Sequence, residues 1–483
     1  MSVEAGTIRQ EKAFGIGHVP AWFWLGIGIY ALLLLNGSSL LNDSDTYWQI
    51  AVGQWILDHN AVPHADIYSF TRSGEPWISS SWLAQVLYAA AYSRGGWAGP
   101  VIMAAGFIAG AFALLAFLLS RRIPSIYAVL VALAALVLST PHLLARPHVL
   151  VLPVVIAWVA GLLSASEAQR SPPLRLLPLI ALWANLHGSF VFGLALIAPF
   201  ALDALWSAQK TQRGRLALRW IAFAVCALAA SCATPYGWGS ILASRKILDL
   251  GEVLHLISEW MPADFSRIGM FEAALFALIG GALYCGIRLS PPRILLSLLL
   301  LHMALSHVRN VEIFATLLPL VVLAPVVTQL RLQPISRNTA SLPLAAAVML
   351  IAALGVGSWA LAAHAGFAPS TIQSPVAAVD VLQDRHAKRI LNDVSFGGYL
   401  ISRGLPVFID GRAELYGETF VMAYDRGVQL KDISQFLDIL KTWDIDAVLL
   451  PPSTPAVGLL DNIGGWRRVY SDRNAVLHVR TGN

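Results

Sequence analysis

Eleven long apolar stretches constrain this sequence more than any other feature. They lie at about 21–41, 98–119, 124–140, 148–164, 174–186, 189–205, 216–233, 270–287, 293–307, 311–329 and 341–363. A helix needs roughly 20 mostly apolar residues to cross a bilayer, so we expect about eleven membrane-spanning helices, of which the fifth and ninth are short. Only 13% of the residues are charged, against about 25% in soluble domains. This excludes an ordinary soluble protein and a disordered one.

The charged residues divide the chain into two parts. The chain has 61 charged residues, 33 basic and 28 acidic, and residues 372–483 contain 25 of them. We therefore expect a transmembrane domain over 1–371 and a water-soluble domain over 372–483. In the second part, strand-like runs at 389–392, 406–410 and 447–450 alternate with helical stretches, and a hairpin turns near 472–474. This alternation predicts an α/β domain with a small, largely parallel sheet.

Lysine and arginine predict the orientation of the spans. Alternate connections hold 14 of these residues and the opposite set holds seven. By the positive-inside rule, the basic connections and the N-terminus face the cytoplasm. The two long loops, 42–97 and 234–269, and the C-terminal domain are then predicted to lie on the extracytoplasmic side of the membrane. The basic connections carry Arg9, Lys12, Arg121, Arg122, Arg170, Arg175, Lys210, Arg213, Arg215, Arg219, Arg288, Arg293, Arg331 and Arg337.

Acidic residues gather in the two long loops, which hold nine of the 15 acids of residues 1–371. The most informative run, Asn42-Asp43-Ser-Asp45-Thr-Tyr-Trp48, follows the first apolar stretch. Two carboxylates one residue apart can deprotonate an acceptor or hold a divalent cation, Mg²⁺ or Mn²⁺, against a phosphate. Asp43 can instead cap the next helix, and any solvated loop needs polar residues.

Basic and imidazole groups near the same predicted face are candidates for binding an anion. Arg309 can fork onto a phosphate, or it can pair with Glu312. Arg146 is a second phosphate candidate, although it can also snorkel to the membrane interface. His187 follows a span and can face a cavity or pack within the bundle. No run of basic residues with interleaved aromatics occurs, so nothing in the sequence indicates nucleic-acid binding.

The Asp-x-Asp-x-Tyr-Trp run after the first helix, the aromatic first loop, the many spans and the α/β tail resemble the GT-C glycosyltransferases of bacteria. That superfamily includes oligosaccharyltransferase catalytic subunits, protein O-mannosyltransferases and lipid A aminoarabinose transferases. The resemblance implies a polytopic α-helical protein of the bacterial inner membrane, with a periplasmic α/β domain. It also implies transfer of a sugar from a polyprenyl-phosphate carrier to a glycan, lipid or protein acceptor. Asp45 would be the catalytic carboxylate and Asp43 its partner, while Arg309, Arg146 and His187 would bind the donor phosphate.

Two further runs resemble acceptor elements of the oligosaccharyltransferases. Ile257-Ser258-Glu259-Trp260 is similar to their short Ser-x-Glu element. Asn392-Asp393-Val-Ser-Phe-Gly397-Gly398 keeps the Asp and Gly of their Trp-Trp-Asp-Tyr-Gly motif but lacks both tryptophans, so recognition of an asparagine sequon is not implied. Asp393, like Asp410 in Asp410-Gly411-Arg412, can equally form a turn. Trp48 and Trp82 belong to a loop typical of carbohydrate surfaces and also of interfacial tryptophan belts.

Two other functions remain open at this stage. A transporter or flippase for lipid-linked substrates, with the tail as a binding module, would need ionisable residues near the membrane midplane. A glycan polymerase or ligase of another fold would use Arg and His instead of a carboxylate. A groove at one face of the bundle would favour transfer over transport.

Overall fold

The first part of the chain is a helical bundle that carries two long loops. The computed structural model describes residues 19–333 and 344–481. Up to Ala365 the described residues form α1 (Ala21–Leu35), α2 (Asp45–His59), α3 (Trp82–Gly95), α4 (Ala98–Ser120), α5 (Ser125–Ser139), α6 (Pro147–Glu167), α7 (Leu177–Leu186), α8 (Phe190–Ala195), α9 (Ile197–Ser207), α10 (Lys210–Ser231), α11 (Gly239–Leu248), α12 (Met270–Tyr284), α13 (Pro291–Ser306), α14 (Val311–Leu330) and α15 (Leu344–Ala365).

Six helical segments among the described residues are long and apolar enough to cross a membrane, which makes this a multi-pass membrane protein. They are α4, α6 and α10 together with Ser125–His142, Phe190–Ser207 and Val308–Leu330. Helices also lie at the five other predicted stretches, where the apolar helical segments have 10–17 residues. The figure of about eleven spans therefore stays a prediction. Arg9, Lys12 and Arg337, which entered the predicted orientation, lie outside the described residues.

The tail contains a four-stranded mixed sheet surrounded by helices. Its elements are α16 (Val376–Asp384), β1 (Ile390–Asn392), α17 (Val394–Ser402), α18 (Ala413–Tyr416), α19 (Glu418–Val428), α20 (Ile433–Thr442), β2 (Ala447–Leu450), α21 (Pro455–Leu460), β3 (Trp466–Ser471) and β4 (Val476–Arg480).

The strand order is β1-β2-β4-β3, and β1 pairs with β2 in parallel. The predicted hairpin is present as β3 and β4, which pair with each other in antiparallel orientation. Strand β4 also pairs antiparallel with β2. The prediction of a largely parallel sheet was therefore wrong, since one of the three pairings is parallel.

The predicted strand at 406–410 is also absent from this sheet. Val407 instead forms an isolated parallel bridge to Ser69 of the first long loop. The Phe70 N–H donates to the Val407 carbonyl at 3.1 Å, and the Asn392 side chain accepts from the Phe408 N–H at 2.9 Å. The backbone of residues 406–410 therefore bonds to the first long loop and to the Asn392 side chain, and not to a neighbouring strand. In this way the segment connects the tail to the loop.

A buried ionic cluster of Asp66, Asp410, Arg412 and Tyr416, here called the Arg412 cluster, strengthens that junction. Arg412 Nη1 lies 2.6 Å from Asp66 Oδ1, and its Nη2 lies 2.6 Å from Asp410 Oδ2, with all three side chains fully buried. The Tyr416 hydroxyl donates to Asp410 at 2.8 Å. Residues from both long loops and the tail also share one hydrophobic core, so these three segments lie together at one end of the bundle.

A second ionic group lies at the C-terminal end of α6, whereas the N-terminal end of this helix, after Arg146, lies beside the first long loop. Arg293 Nε is 3.0 Å from Asp203 Oδ2, and Arg293 also reaches Glu167, which pairs with Arg122. Helix α6 has 21 residues, so at about 1.5 Å per residue it separates its two ends by about 30 Å. The helical body therefore carries charge at its two ends.

We expect Arg412→Met to lower the free energy of unfolding by about 3–5 kcal/mol, because Asp66 and Asp410 would remain buried without a cation. Denaturant unfolding of the detergent-solubilised chain measures this loss. Arg480→Met is the matched control: Arg480 pairs with Asp444 at 2.7 Å in an exposed position, and its loss should cost at most about 1 kcal/mol. Equal losses in the two variants would contradict the stabilising role of the Arg412 cluster.

Candidate active site

Asp43 and Asp45 lie at the start of the first long loop, where the chain turns from α1 into α2. Asp43 Oδ1 accepts the backbone N–H of Asp45 at 2.7 Å, so the capping interaction considered from the sequence is present. Both acids also bind one guanidinium: Asp43 Oδ2 is 3.1 Å from Arg146 Nη1, and Asp45 Oδ2 is 2.5 Å from Arg146 Nη2. Asp43 therefore accepts the first backbone N–H of α2, whose N-cap residue is Ser44, and both acids belong to an ionic cluster.

Arg146 is held by its backbone at the beginning of α6. It adopts an extended conformation before Pro147, the first residue of the helix, a position that suits proline. The hydroxyl of the fully buried Tyr88 donates to the Arg146 carbonyl at 3.0 Å. The neighbouring Ala145 N–H donates to the Leu40 carbonyl at 2.7 Å. These contacts direct the side chain toward the first long loop.

Glu259, from the second long loop, joins two arginines. Its Oε2 is 3.3 Å from Arg146 Nη1, and its Oε1 is 3.2 Å from Arg309 Nη1. The Arg309 guanidinium lies over the Trp260 ring, 4.6 Å from its centroid. Among the described residues the recorded ion pair of Arg309 is with Glu259, and none within 4.0 Å is recorded with Glu312. We call Asp43, Asp45, Arg146, Glu259 and Arg309 the Arg146 cluster.

The acids of the Arg146 cluster differ in how readily they lose a proton. Burial raises the pKa of Asp43 to about 6, against the opposing effect of Arg146. Burial also raises the pKa of Glu259, but the guanidinium groups of Arg146 and Arg309 outweigh it, so the pKa lies below its usual value. Asp43 is therefore the acid that exchanges a proton near neutral pH, while Glu259 stays ionised.

Among the described residues, His187 makes no hydrogen bond or ion pair with Arg146 or Arg309; the hydrogen-bond partner of its side chain is Ser189. Its Nδ1 is 2.8 Å from Ser189 Oγ and accepts the Ser189 N–H at 3.2 Å. Burial lowers the pKa of His187 to about 3, so its ring is neutral. It can offer an anion a hydrogen bond but no charge.

The remaining predicted residues lie in three different settings. Trp48 Nε1 donates to Asp45 Oδ1 at 2.9 Å and so orients the acid. Trp82 Nε1 donates to Asn185 Oδ1 at 2.8 Å. Asp393 caps α17 by accepting the Ser395 N–H at 2.9 Å. Its side chain accepts from both the N–H and the hydroxyl of Ser395 in its own turn, as expected of a turn former.

Two tail glycines that lie directly against the acidic segment escaped the sequence reasoning. A Cβ on Gly411 would lie 2.1 Å from Asp45 Oδ1, and one on Gly398 would lie 2.1 Å from the Ser44 carbonyl oxygen. The sequence analysis had placed Gly397-Gly398 in an acceptor-like run and Asp410-Gly411 in a possible turn. Nothing in the sequence indicated that their neighbour is the first long loop.

The fit of a divalent cation can be tested on the donor set of Asp43 and Asp45. Among residues 19–333 and 344–481, no group of three His, Cys, Asp or Glu residues is arranged to hold a metal ion. The space that the acids face is taken by the Arg146 guanidinium. The residues present therefore do not fit a carboxylate-bound metal.

Two solved structures have a similar fold. One is a crystal structure of the Archaeoglobus fulgidus oligosaccharyltransferase in the apo form (TM-score 0.54), and the other is the archaeal oligosaccharyltransferase AglB from Archaeoglobus fulgidus in complex with an inhibitory peptide and a dolichol-phosphate (0.52). Each is 12% identical in sequence to this chain, and each match covers 89% of this chain. The match covers 70% of the apo chain and 69% of the chain in the complex. No protein-family model and no curated protein matches the sequence. The comparison shows that the chain has a fold similar to that of these oligosaccharyltransferases, as the sequence resemblance implied.

We expect the Asp43 carboxyl group to be protonated below about pH 6 and ionised above it. Infrared difference spectroscopy of the solubilised chain can follow the C=O stretch of the protonated acid as the pH rises. The component that disappears near pH 6 should be missing in Asp43→Asn and unchanged in Asp58→Asn, which removes an exposed acid of α2. An identical titration in Asp43→Asn and the unmodified protein would contradict the assignment.

Proposed function

We propose that the protein is an integral-membrane glycosyltransferase that moves a sugar from a polyprenyl-phosphate carrier to an acceptor at the outer face of the bacterial inner membrane. The observation that carries the proposal is the Arg146 cluster, which joins three carboxylates and two guanidinium groups at one end of the bundle. The fold adds support, because a structure of similar fold was solved with a dolichol-phosphate and a peptide.

Arg309 is the residue best suited to bind the donor phosphate. Among the described residues its side chain has one recorded hydrogen bond, to Glu259, which leaves further N–H donors for a ligand. The guanidinium lies over the Trp260 ring, and a planar guanidinium can bind two phosphate oxygens at once. The lipid chain of the donor would remain in the membrane beside α14.

Asp45 is suited to act on the acceptor. Its carboxylate is oriented by Trp48 and Arg146. In the proposed reaction the acceptor oxygen or nitrogen attacks the anomeric carbon and its proton passes to Asp45. The bond from the anomeric carbon to the phosphate oxygen breaks, and its electron pair leaves with the polyprenyl phosphate. Arg309 and the neutral His187 stabilise the negative charge of that leaving group.

The placement of charge favours transfer over transport. The two ionic groups of the helical body lie at opposite ends of α6. Transporters of lipid-linked or soluble substrates typically bind them near the midplane. The tail, which lies against Ser44 and Asp45 through Gly398 and Gly411, would border the acceptor path and help to exclude water. The acceptor itself would be a glycan, a lipid or a protein.

Asp45→Asn should lower the transfer rate by about 100- to 10,000-fold, because the amide keeps the size of the side chain but cannot take a proton. The rate can be measured as release of free polyprenyl phosphate from a panel of short-chain polyprenyl-phosphate sugars. Asp58→Asn, on the exposed side of the same helix, should retain full activity. Full activity in a correctly folded Asp45→Asn variant would refute the role of this carboxylate.

Arg309→Ala should raise the KM for the lipid-linked donor by about 10- to 100-fold, since a charge-assisted hydrogen bond contributes about 1.5–3 kcal/mol. Arg309→Lys should restore little of the affinity, because an ammonium group cannot bind two oxygens in one plane. Arg267→Ala, which removes an exposed arginine of the second long loop, is the control. An unchanged donor KM in Arg309→Ala would exclude this phosphate contact.

A further inference from the structure

We propose that Arg146 is a built-in cation that takes the place of a divalent metal ion in the acidic site, so that the protein works without a bound metal. The consequence for catalysis depends on the proposed glycosyltransferase function. Whether the acids can bind a metal at all does not depend on it, and the two can be tested separately.

The first argument is the geometry of the acids around one guanidinium. Oxygens of Asp43 and Glu259 lie 3.1 and 3.3 Å from Arg146 Nη1, and an oxygen of Asp45 lies 2.5 Å from Nη2. These are hydrogen-bond and ion-pair distances, whereas Mg²⁺ binds oxygen at about 2.0–2.1 Å. The guanidinium plane occupies the space in which the three carboxylates converge.

The second argument is that the carboxylate oxygens already have partners. Each of the six oxygens interacts with a nitrogen donor of the protein. These interactions are Asp43 Oδ1 with the Asp45 N–H, Asp43 Oδ2 with Arg146, Asp45 Oδ1 with Trp48 Nε1, Asp45 Oδ2 with Arg146, Glu259 Oε1 with Arg309, and Glu259 Oε2 with Arg146. A metal ion would have to break several of these contacts to gain a complete set of oxygen ligands.

The third argument is charge. Three carboxylates face two guanidinium groups in the Arg146 cluster, which leaves at most a single excess negative charge. A divalent ion among these acids would overcompensate that charge and lie close to Arg146, which has the same sign.

The fourth argument is that Arg146 is fixed at its base. Its carbonyl accepts the Tyr88 hydroxyl, and Thr46 Oγ1 donates to the adjacent Ala145 carbonyl at 3.2 Å. The carboxylates that contact the Arg146 guanidinium are those of Asp43, Asp45 and Glu259. If the guanidinium swung away from them, it would lose these partners. Arg146 is therefore held among the acids, where it positions Asp45 for the acceptor.

The test is binding of Mn²⁺ to the purified full-length chain in detergent, followed by electron paramagnetic resonance. We expect no Mn²⁺ signal that depends on Asp45 in the unmodified protein. Arg146→Ala should empty the centre of the acidic site and bind one Mn²⁺, and the double variant Arg146→Ala/Asp45→Asn should lose it. Arg146→Lys, which keeps a cation, should bind none.

Two metal-binding results would overturn the proposal. One is Mn²⁺ bound to the unmodified protein and lost in Asp45→Asn, a comparison that does not require Arg146→Ala to fold. The other is a folded Arg146→Ala variant that binds no Mn²⁺. Where transfer is detected, its rate should also be unchanged by EDTA, and a rate abolished by EDTA and restored by Mn²⁺ would equally refute the proposal. If no donor in the panel is turned over, the proposed function fails while the Mn²⁺ measurements still decide the role of Arg146.

Discussion

The pairing of the Arg146 guanidinium with three carboxylates organises one end of this molecule. A partly buried cation costs several kcal/mol unless acids and hydrogen bonds surround it. Asp43 and Asp45 from the first long loop and Glu259 from the second satisfy that requirement at the start of α6. Because Glu259 also binds Arg309 just before α14, the ionic contacts connect both loops to two helix ends. The position of the candidate catalytic carboxylate thus follows from charge compensation.

The tail is part of the same arrangement. The fully buried pairs of Arg412 with Asp66 and Asp410 fasten it to the first long loop, and the Tyr47 hydroxyl lies 2.6 Å from Ser374 Oγ at its beginning. Gly411 can lie against Asp45 because it has no side chain. An α/β domain that packs this closely on the acidic segment limits the directions from which a ligand can approach Asp45. It therefore contributes to the shape of the site as well as covering it.

The success of each sequence-based expectation depends on the range of the interactions involved. The apolar stretches predicted helices correctly because hydropathy is a local property, and the Asp-x-Asp run marked one wall of the site for the same reason. The sheet was predicted wrongly: which strands lie beside β2 depends on where the C-terminal hairpin packs, and residues 406–410 pair with a loop more than 300 positions away. Locally, Glu312 was the natural partner for Arg309, yet Glu259 of the second long loop takes that place.

The sequence by itself determined that this is a multi-pass membrane protein with an α/β tail and acids concentrated in two loops, because composition and periodicity are local properties of the chain. Only the tertiary structure decided that Arg146 faces Asp45, 101 positions away, and Glu259, 113 positions away. Ion pairs of this kind leave no periodic signal, and each candidate residue had a local alternative that was chemically reasonable. Packing of the two loops and the tail on one end of the bundle brought these charges together and made them a site.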